Sequence, residues 1–284
     1  MPFLINARHL ITIFAISLLM VTFSTAQEDE SLEVTAEAPA PSEIAPTVSD
    51  ETAAKLIQLH LQARGGIAVI NAIQNLTYSG TLKISSDLYK FTFIRIGDDY
   101  LYEERSIDKL GRKYTNIRVA NPKESWAQET SPKPKRPMVM SKAERESFSF
   151  LGVLGTALYQ PFLNWEAQGH IFAYDGTANY QGVSTYLIKG KLKNGPIVYY
   201  YFDPKTFLIR AVGFRDHFAG QSVNADLVPI RAEKHNGVIL ETAFEYRVNK
   251  KAYQTIEYKR IQLNQKIPLT KFIQPAVRQK QLAP

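Results

Sequence analysis

The chain has 284 residues, of which 45% are hydrophobic and 11% aromatic, with a formal net charge of +7. That length is enough for one large domain or two small ones. There is no cysteine, which excludes disulfides, thiolate metal sites, a cysteine nucleophile and a lipid-bearing cysteine near the N-terminus.

Residues 1–26 have the make-up of an export signal peptide. Arg8 gives the positive start, residues 10–23 the apolar stretch, and Ser24-Thr25-Ala26 the small residues at which such signals are cut. The apolar stretch of 14 residues is short of the ~20 that span a bilayer. A cleaved signal is therefore expected in preference to an uncleaved anchor, and in a bacterial cell the mature protein would be periplasmic or secreted. Residues 27–51 hold eight acidic residues and no basic or aromatic one. Such a segment cannot bury enough to order itself and reads as a disordered acidic Ala/Pro linker. Residues 52–284 follow as a single domain, with 33 Lys and Arg against 19 Asp and Glu, a net of +14. That balance favours an anionic partner: lipid headgroups, an acidic polymer or an acidic envelope protein. Basic residues that only solvate outer strand faces and sheet edges would give the same count. The export signal argues against nucleic acid.

The domain opens with a helix. Ser49 or Asp50 caps ETAAKLIQLHLQAR, whose Ala53, Leu56, Ile57, His60 and Arg64 share one face. Gly65-Gly66 ends it, as a left-handed C-terminal cap does. IAVINAIQ gives a second, short helix. His60 lies on the apolar side and reads as a core histidine rather than a ligand. Strand-like runs follow at 76–85, 88–107 and 113–121, broken by Gly, Asp and Ser. In LYKFTFIRI, Tyr89, Phe91, Phe93 and Arg95 share one face, which is aromatic, and the opposite face is not cleanly polar.

Residues 121–147 carry four prolines and many charges and predict a long exposed loop. Its SPKPKRP run fits either an acidic surface or plain solvation. Ser141 and Glu144 then form a capping box for a helix running to Trp165. After residue 147 this helix has almost no polar side: Phe148, Phe150, Leu151, Leu154, Leu158, Phe162 and Trp165 are all apolar or aromatic. A helix apolar all round is buried on more than one side. Strand-like runs occupy the rest of the chain, joined by turn signals such as His235-Asn236-Gly237. One of them, YYYFDPKTFLIRAV (199–212), is a hairpin around an Asp-Pro-Lys-Thr turn. Its first arm is aromatic on both faces, with Tyr199 and Tyr201 opposite Val198, Tyr200 and Phe202. Helix, strands, helix, then many strands make this an α+β chain with helices on one side of a large antiparallel sheet. The second aromatic face would look into packed core or into a cavity for an apolar ligand.

Enzyme chemistry is not advertised. His9, His60, His170, His217 and His235 are scattered without metal-ligand spacing, and there is no GxSxG elbow or phosphate-binding glycine loop. Asp216, His217 and Ser222 supply the residue types of a hydrolase triad, which only geometry could make one. Glu103-Glu104 beside Arg105 reads as surface charge. The chain is expected to be non-enzymatic and without cofactor or metal.

Three stretches carry a resemblance: LIQLHLQARGGIAVINAIQNLTYSGTL, then VSTYLIKGKLKNGPIVYYYFDPKTFLIRAVGF, then IEYKRIQLNQKIPLTKFIQP. Together they resemble the outer-membrane lipoprotein-sorting (LolA/LolB-like) superfamily over residues 52 to about 275. The resemblance implies a strongly curved antiparallel sheet, an incomplete β-barrel, wrapped around apolar helices. It also implies a carrier of acyl chains of lipid or lipoprotein, or a non-enzymatic envelope sensor or scaffold of the same fold that binds a protein partner. The helix at 147–165 would be the lid of the cavity and the loop at 121–147 its hinge. Cavity and lid residues would be Phe91, Phe93, Phe148, Phe150, Leu151, Leu154, Leu158, Phe162, Trp165, Tyr199 and Tyr201. The family's functional arginine matches none of Arg64, Arg95 and Arg105 uniquely. The absent cysteine makes the chain resemble the soluble carrier more than the anchored receptor.

Overall fold

The computed structural model describes residues 45–46, 48–193, 195–218 and 221–275. The expected signal and most of the expected linker lie outside them. Three α-helices are described: α1 (Glu51–Ala63), α2 (Ile67–Asn71) and α3 (Lys142–Thr156). The strands are β1 (Asn75–Ile84), β2 (Asp87–Ile96), β3 (Tyr100–Lys109), β4 (Arg112–Ala120), β5 (Ser125–Ser131), β6 (Met138–Val139), β7 (Ile171–Tyr180), β8 (Val183–Lys191), β9 (Ile197–Phe202), β10 (Ile209–Phe218), β11 (Gln221–His235), β12 (Val238–Val248) and β13 (Lys251–Leu263).

All of these strands belong to one antiparallel sheet, in the order β6-β5-β4-β3-β2-β1-β13-β12-β11-β10-β9-β8-β7. Every neighbour is a sequence neighbour except in the middle, where the first strand lies against the last. The ends of the sheet, β6 and β7, do not meet, so it is an incomplete barrel. Short hairpins dominate. Asn236-Gly237, Gln181-Gly182 and Leu110-Gly111 have positive φ at both positions, the requirement of the turn that matches strand twist.

The helices pack on the inner face, where Ala53, Leu56, Ile57, Leu61, Ile70, Phe148, Leu151 and Leu154 join one hydrophobic core with the inward residues of the strands. The Asp50 carboxylate caps α1, accepting from the Ala53 N–H at 2.7 Å and from the Tyr174 N–H of β7 at 2.6 Å. Gly65 and Gly66 end α1 as expected: their N–H groups donate to Gln62 and Leu61, and Gly65 has φ +125°. A side chain on Gly65 would run into the Gly237 carbonyl, so α1 ends where it touches the β11–β12 hairpin.

Two expectations need correction. Residues 121–147 are not all loop, because Ser125–Ser131 and Met138–Val139 extend the sheet as β5 and β6. The alternation of Trp126 and Ala127 onto opposite faces was hidden beneath the prolines and charges around it. The helix expected to run to Trp165, α3, stops at Thr156. Ala157 is extended, and Pro161 sits in a 3-10 turn, Gln160–Phe162. A proline lacks the N–H a helix needs and disfavours helical backbone before it. A second 3-10 turn, Leu269–Phe272, lies on the outer face. There Phe272 covers a small separate cluster of Ile94, Tyr102, Val119 and Trp126.

The doubly aromatic strand β9 is resolved by its two faces. Val198, Tyr200 and Phe202 point into the core. Tyr199 sits in an outer cross-strand row with Lys189, Gly213, Asp226 and Arg247. Tyr201 stacks on Tyr180 with centroids 4.9 Å apart, and the Lys189 ammonium lies 5.7 Å from the Tyr199 ring centre. Aromatic and cation–π packing therefore covers the second face.

Candidate functional site

The candidate site is the crevice between α3 and the inner face of the sheet. Its floor is Leu82 of β1, Phe91 and Phe93 of β2, Glu103 and Arg105 of β3, Arg118 of β4, and Leu227, Tyr246, Ile256 and Tyr258 of β11–β13; its roof is Phe148, Leu151, Gly152, Gly155 and Thr156 of α3. The free space is about 40 Å3. One water needs ~10–15 Å3 of such space, so there is room for a few waters and not for a chain. A larger groove of about 420 Å3 runs between α1 and residues 162–167. It is open to solvent and is lined by two of the residues named from sequence, Phe162 and Trp165, but lies outside α3 and the aromatic strand β2.

The close fit of α3 has a local cause. A Cβ on Gly152 would come within 2.8 Å of the Phe93 ring, and one on Gly155 would lie 3.6 Å from the Tyr258 hydroxyl. Glycines one turn apart let the helix backbone settle onto the sheet. The phenols of Tyr78 and Tyr258 donate to the Thr156 and Gly155 carbonyls. These are carbonyls that the end of a helix leaves without N–H partners. At the other end, the Ser141 hydroxyl and the Glu144 carboxylate complete the expected capping box. Burial raises the pKa of both phenols, so they stay protonated donors.

The crevice also holds a charged cluster. Glu103 Oε1 accepts from Arg105 Nη2 at 2.5 Å, and Oε2 from Arg118 Nε at 2.7 Å and from Arg118 Nη2. Burial pushes the Glu103 pKa up, but the two arginines overcome it and hold the carboxyl below its ordinary value. Arg118 lies 4.7 Å from the centre of the Phe148 ring, so it touches α3 as well. The surface-charge reading of Glu103 and Arg105 is thus corrected, as both are buried. Only Glu104 faces the other way, bonded to the Tyr102 hydroxyl at 2.7 Å. The signal was present: Leu101, Glu103, Arg105 and Ile107 share one strand face, and the apolar pair flanks the charged one.

Of the residues named from sequence, Phe91, Phe93, Phe148 and Leu151 meet in this crevice. Leu154 and Leu158 are fully buried in the core next to it. Phe150 points along the sheet to Phe214, ring centroids 5.0 Å apart. Phe162 packs among His60, Phe172, Tyr200 and Phe202, and Trp165 lies against Phe172. The structure does not bring Tyr199 and Tyr201 to the crevice; they are on the outer face. The three arginines of interest separate. Arg64 is fully buried and paired with Glu241. Arg95 holds the 3-10 turn after α3 through Gln160 Oε1 at 3.0 Å. Arg105 is in the crevice.

The hydrolase grouping does not assemble. Asp216 and His217 are consecutive strand residues and face opposite ways. The Asp216 oxygens accept from the Tyr246 hydroxyl at 2.6 Å and the His217 backbone N–H at 2.7 Å. Among the described residues no three His, Asp or Glu gather as a metal would need, and no helix is long and apolar enough to cross a membrane.

An open antiparallel half-barrel with helices inside it defines the class of fold, and solved structures are similar to it. A domain from Vibrio parahaemolyticus whose name assigns it to outer-membrane lipoprotein sorting superposes with a TM-score of 0.50 at 12% identity, over 78% of this chain and 96% of that one. A LolA superfamily protein from Nitrosomonas europaea gives 0.46 at 11% identity, over 78% and 97%. A DUF1329 family protein from Desulfovibrio piger gives 0.45 at 14%, over 79% and 98%. No family model and no curated protein matches the sequence. The fold is therefore LolA/LolB-like, as the resemblance implied.

Proposed function

We propose that this protein is an exported, periplasmic carrier for the acyl chains of lipid or lipoprotein, with α3 as the lid of its binding crevice. The observation that carries the reading is how α3 is held. It covers an aromatic inner face through two glycines, two phenol–carbonyl bonds and one cation–π contact. Lifting it breaks no strand pairing. A chain entering beneath it would meet Phe91, Phe93, Phe148 and Leu151, with ~0.8 kcal/mol gained per buried methylene. The roughly 40 Å3 of space is then the closed, empty form, and loading requires α3 to move outward. The LolA/LolB-like fold supports the reading through the name of the similar Vibrio domain. The strongly basic domain suits delivery at an anionic surface.

The small free volume favours a second reading, an envelope sensor or scaffold with a packed interior that works through its outer surface. Native mass spectrometry of the protein purified without detergent, followed by lipid extraction, separates the two. An acyl species bound at unit stoichiometry supports the carrier. A clean apo mass that persists after incubation with envelope lipids rejects it in favour of the scaffold.

A further inference from the structure

The Pro-rich basic loop after β5 has no part in the crevice chemistry described above. It runs from Pro132 to Pro137, and Lys133, Pro134, Lys135 and Arg136 are all exposed. Antiparallel pairing places it beside the β3–β4 hairpin. Thr115 faces Ser131 across the β4–β5 ladder, and the Ser131 hydroxyl donates to the Lys113 carbonyl at 2.8 Å. Lys109, Arg112 and Lys113 of that hairpin are exposed as well. This corner of the sheet therefore sets six cations against three carboxylates, Asp87, Asp108 and Glu129. Lys109 pairs with Asp87 at 2.7 Å, and Lys135 with Glu129 at 2.6 Å. Among the described residues, Arg112, Lys113, Lys133 and Arg136 form no ion pair.

The loop leads straight into α3. The two residues of β6 pair with β5, Val139 with Trp126 and Met138 with Ala127, and the Met140 N–H donates to the Ser125 carbonyl at 3.0 Å. Ser141, the cap of α3, comes next. On the loop side, Lys135 fastens this short strand. Its N–H donates to the Glu129 carbonyl at 2.8 Å, its carbonyl accepts from Gln128 Nε2 at 2.8 Å, and its ammonium meets the Glu129 carboxylate. With the Lys135 side chain 44% exposed, that ion pair adds little stability and yields to competing charge. Met138 and Val139 stand 49% and 75% exposed beside the cations, so two apolar side chains face water where the basic loop ends.

We propose that the 132–137 loop and the β3–β4 hairpin form a docking surface for an anionic membrane, and that docking frees the start of α3 by drawing β6 away from β5. Charge complementarity selects the partner, because each Lys or Arg brought to an anionic bilayer adds to the attraction. The exposed Met138 and Val139 favour a bilayer over a soluble polyanion, since only the bilayer offers apolar depth beneath its charge. Headgroups at the loop compete with Glu129 for Lys135 and so loosen the strand that leads into α3. This coupling rests on the carrier reading, in which α3 is the lid; the docking itself does not. The crevice would then open where anionic lipid is met and stay closed in the solvent between membranes.

The test is flotation of the protein with vesicles of phosphatidylcholine alone, or of equal parts phosphatidylcholine and phosphatidylglycerol. The protein should float with the anionic vesicles and not with the neutral ones, and less so as salt rises. Lys133→Gln with Arg136→Gln should lower the partitioning about thirtyfold. Lys123→Gln with Lys266→Gln removes as much charge from the opposite rim, at the β4–β5 turn and after β13, and should leave flotation in place. Equal loss in both pairs overturns the docking surface and reduces the attraction to net charge. Binding to soluble polyglutamate that anionic vesicles do not displace assigns the corner to a polyanion and overturns the membrane. Hydrogen exchange at residues 138–145 should quicken with anionic vesicles only, and Glu129→Gln should quicken it without any vesicle. Flotation with unchanged exchange there keeps the docking surface and overturns its link to α3. Failure to carry an acyl chain, read separately by native mass spectrometry, would leave flotation untouched, so the carrier and the docking surface fail independently.

Discussion

His60, Arg64 and Glu241 form a buried polar chain whose protonation can be read from its geometry. The His60 Nδ1–H donates to the Phe207 carbonyl at 2.7 Å, which leaves Nε2 to accept from Arg64 Nε at 3.0 Å. The imidazole is thus neutral. Burial, then the Arg64 charge, lower its pKa well below the ordinary 6.5. The unfolded chain takes up a proton as pH falls past 6.5 and the folded chain does not, so stability should fall with acid in that range. His170, also lowered by burial, adds to the same trend. Urea midpoints at pH 7.5 and 5.5 check this: His60→Gln should flatten the difference, and an unchanged slope would count against it. Glu241→Gln strips Arg64 of its counter-charge and should cost about 3 kcal/mol or more in the same assay. Asp226 has the opposite sign. Burial raises its pKa from 3.8 to about 6 against the pull of Arg247, so its contribution is present below 3.8 and lost as pH rises through 6. Asp226→Asn should therefore raise stability at pH 8 by on the order of 1 kcal/mol and give no gain below pH 4. Much of this was half legible. Helical period placed His60 and Arg64 on the inward side of α1, but Glu241 comes from β12, and no spacing in the sequence joins it to α1.

At the scale of the element, α3 shows where sequence reading worked and where it stopped. Ser141 and Glu144 fixed its start, because a capping box is a local signal. Its end is tertiary. The Tyr78 and Tyr258 hydroxyls accommodate the carbonyls of Gly155 and Thr156, and Thr156 Oγ1 donates back to the Gly152 carbonyl at 2.7 Å. Apolar residues continue past this point into Leu158 and Phe162, so hydrophobicity alone gave no boundary. The same blindness hid β5, whereas hairpins built on Asn-Gly were legible because their turn chemistry is local. The phenols provide the test of the lid. Tyr78→Phe with Tyr258→Phe removes both hydrogen bonds and leaves two buried carbonyls unpaired, at about 1–3 kcal/mol each. Hydrogen exchange should quicken in the amides of residues 142–156 and not in β1 or β13, because the strand ladder is untouched. Faster exchange spread evenly over the sheet would mean that α3 is part of the global fold and not a separable lid.

At the scale of the molecule, everything depends on one seam. β1 and β13 pair from Leu76–Leu263 to Ile84–Gln254, and this seam joins the block β1–β6 to the block β7–β13. The sequence reading anticipated many antiparallel strands but not that the first and last would meet, because strand pairing at that separation leaves no local trace. A chain ending after Val248 would lose β13 and expose two long edges in what had been the middle of the sheet, where unpaired N–H and C=O groups invite aggregation. It should show no cooperative thermal transition by far-UV circular dichroism. A chain ending after Gln265 keeps the seam, including the Asn75–Gln265 and Asn264–Ala72 bonds that extend it. It loses the outer turn with Phe272, the Asn121 hydrogen bond to the Phe272 carbonyl at 2.8 Å, the Gln274 N–H bond to Glu124 and the Lys271 contact over the Tyr102 ring. Removing so buried an aromatic typically costs about 3–5 kcal/mol, so this chain should melt cooperatively at a lower temperature. Because the outer cluster lies across the sheet from the crevice, it should also keep whatever acyl probe the full chain binds. Cooperative melting of the shorter chain near the full-length temperature would show that the two blocks do not need the seam, and the half-barrel would then be two units placed side by side.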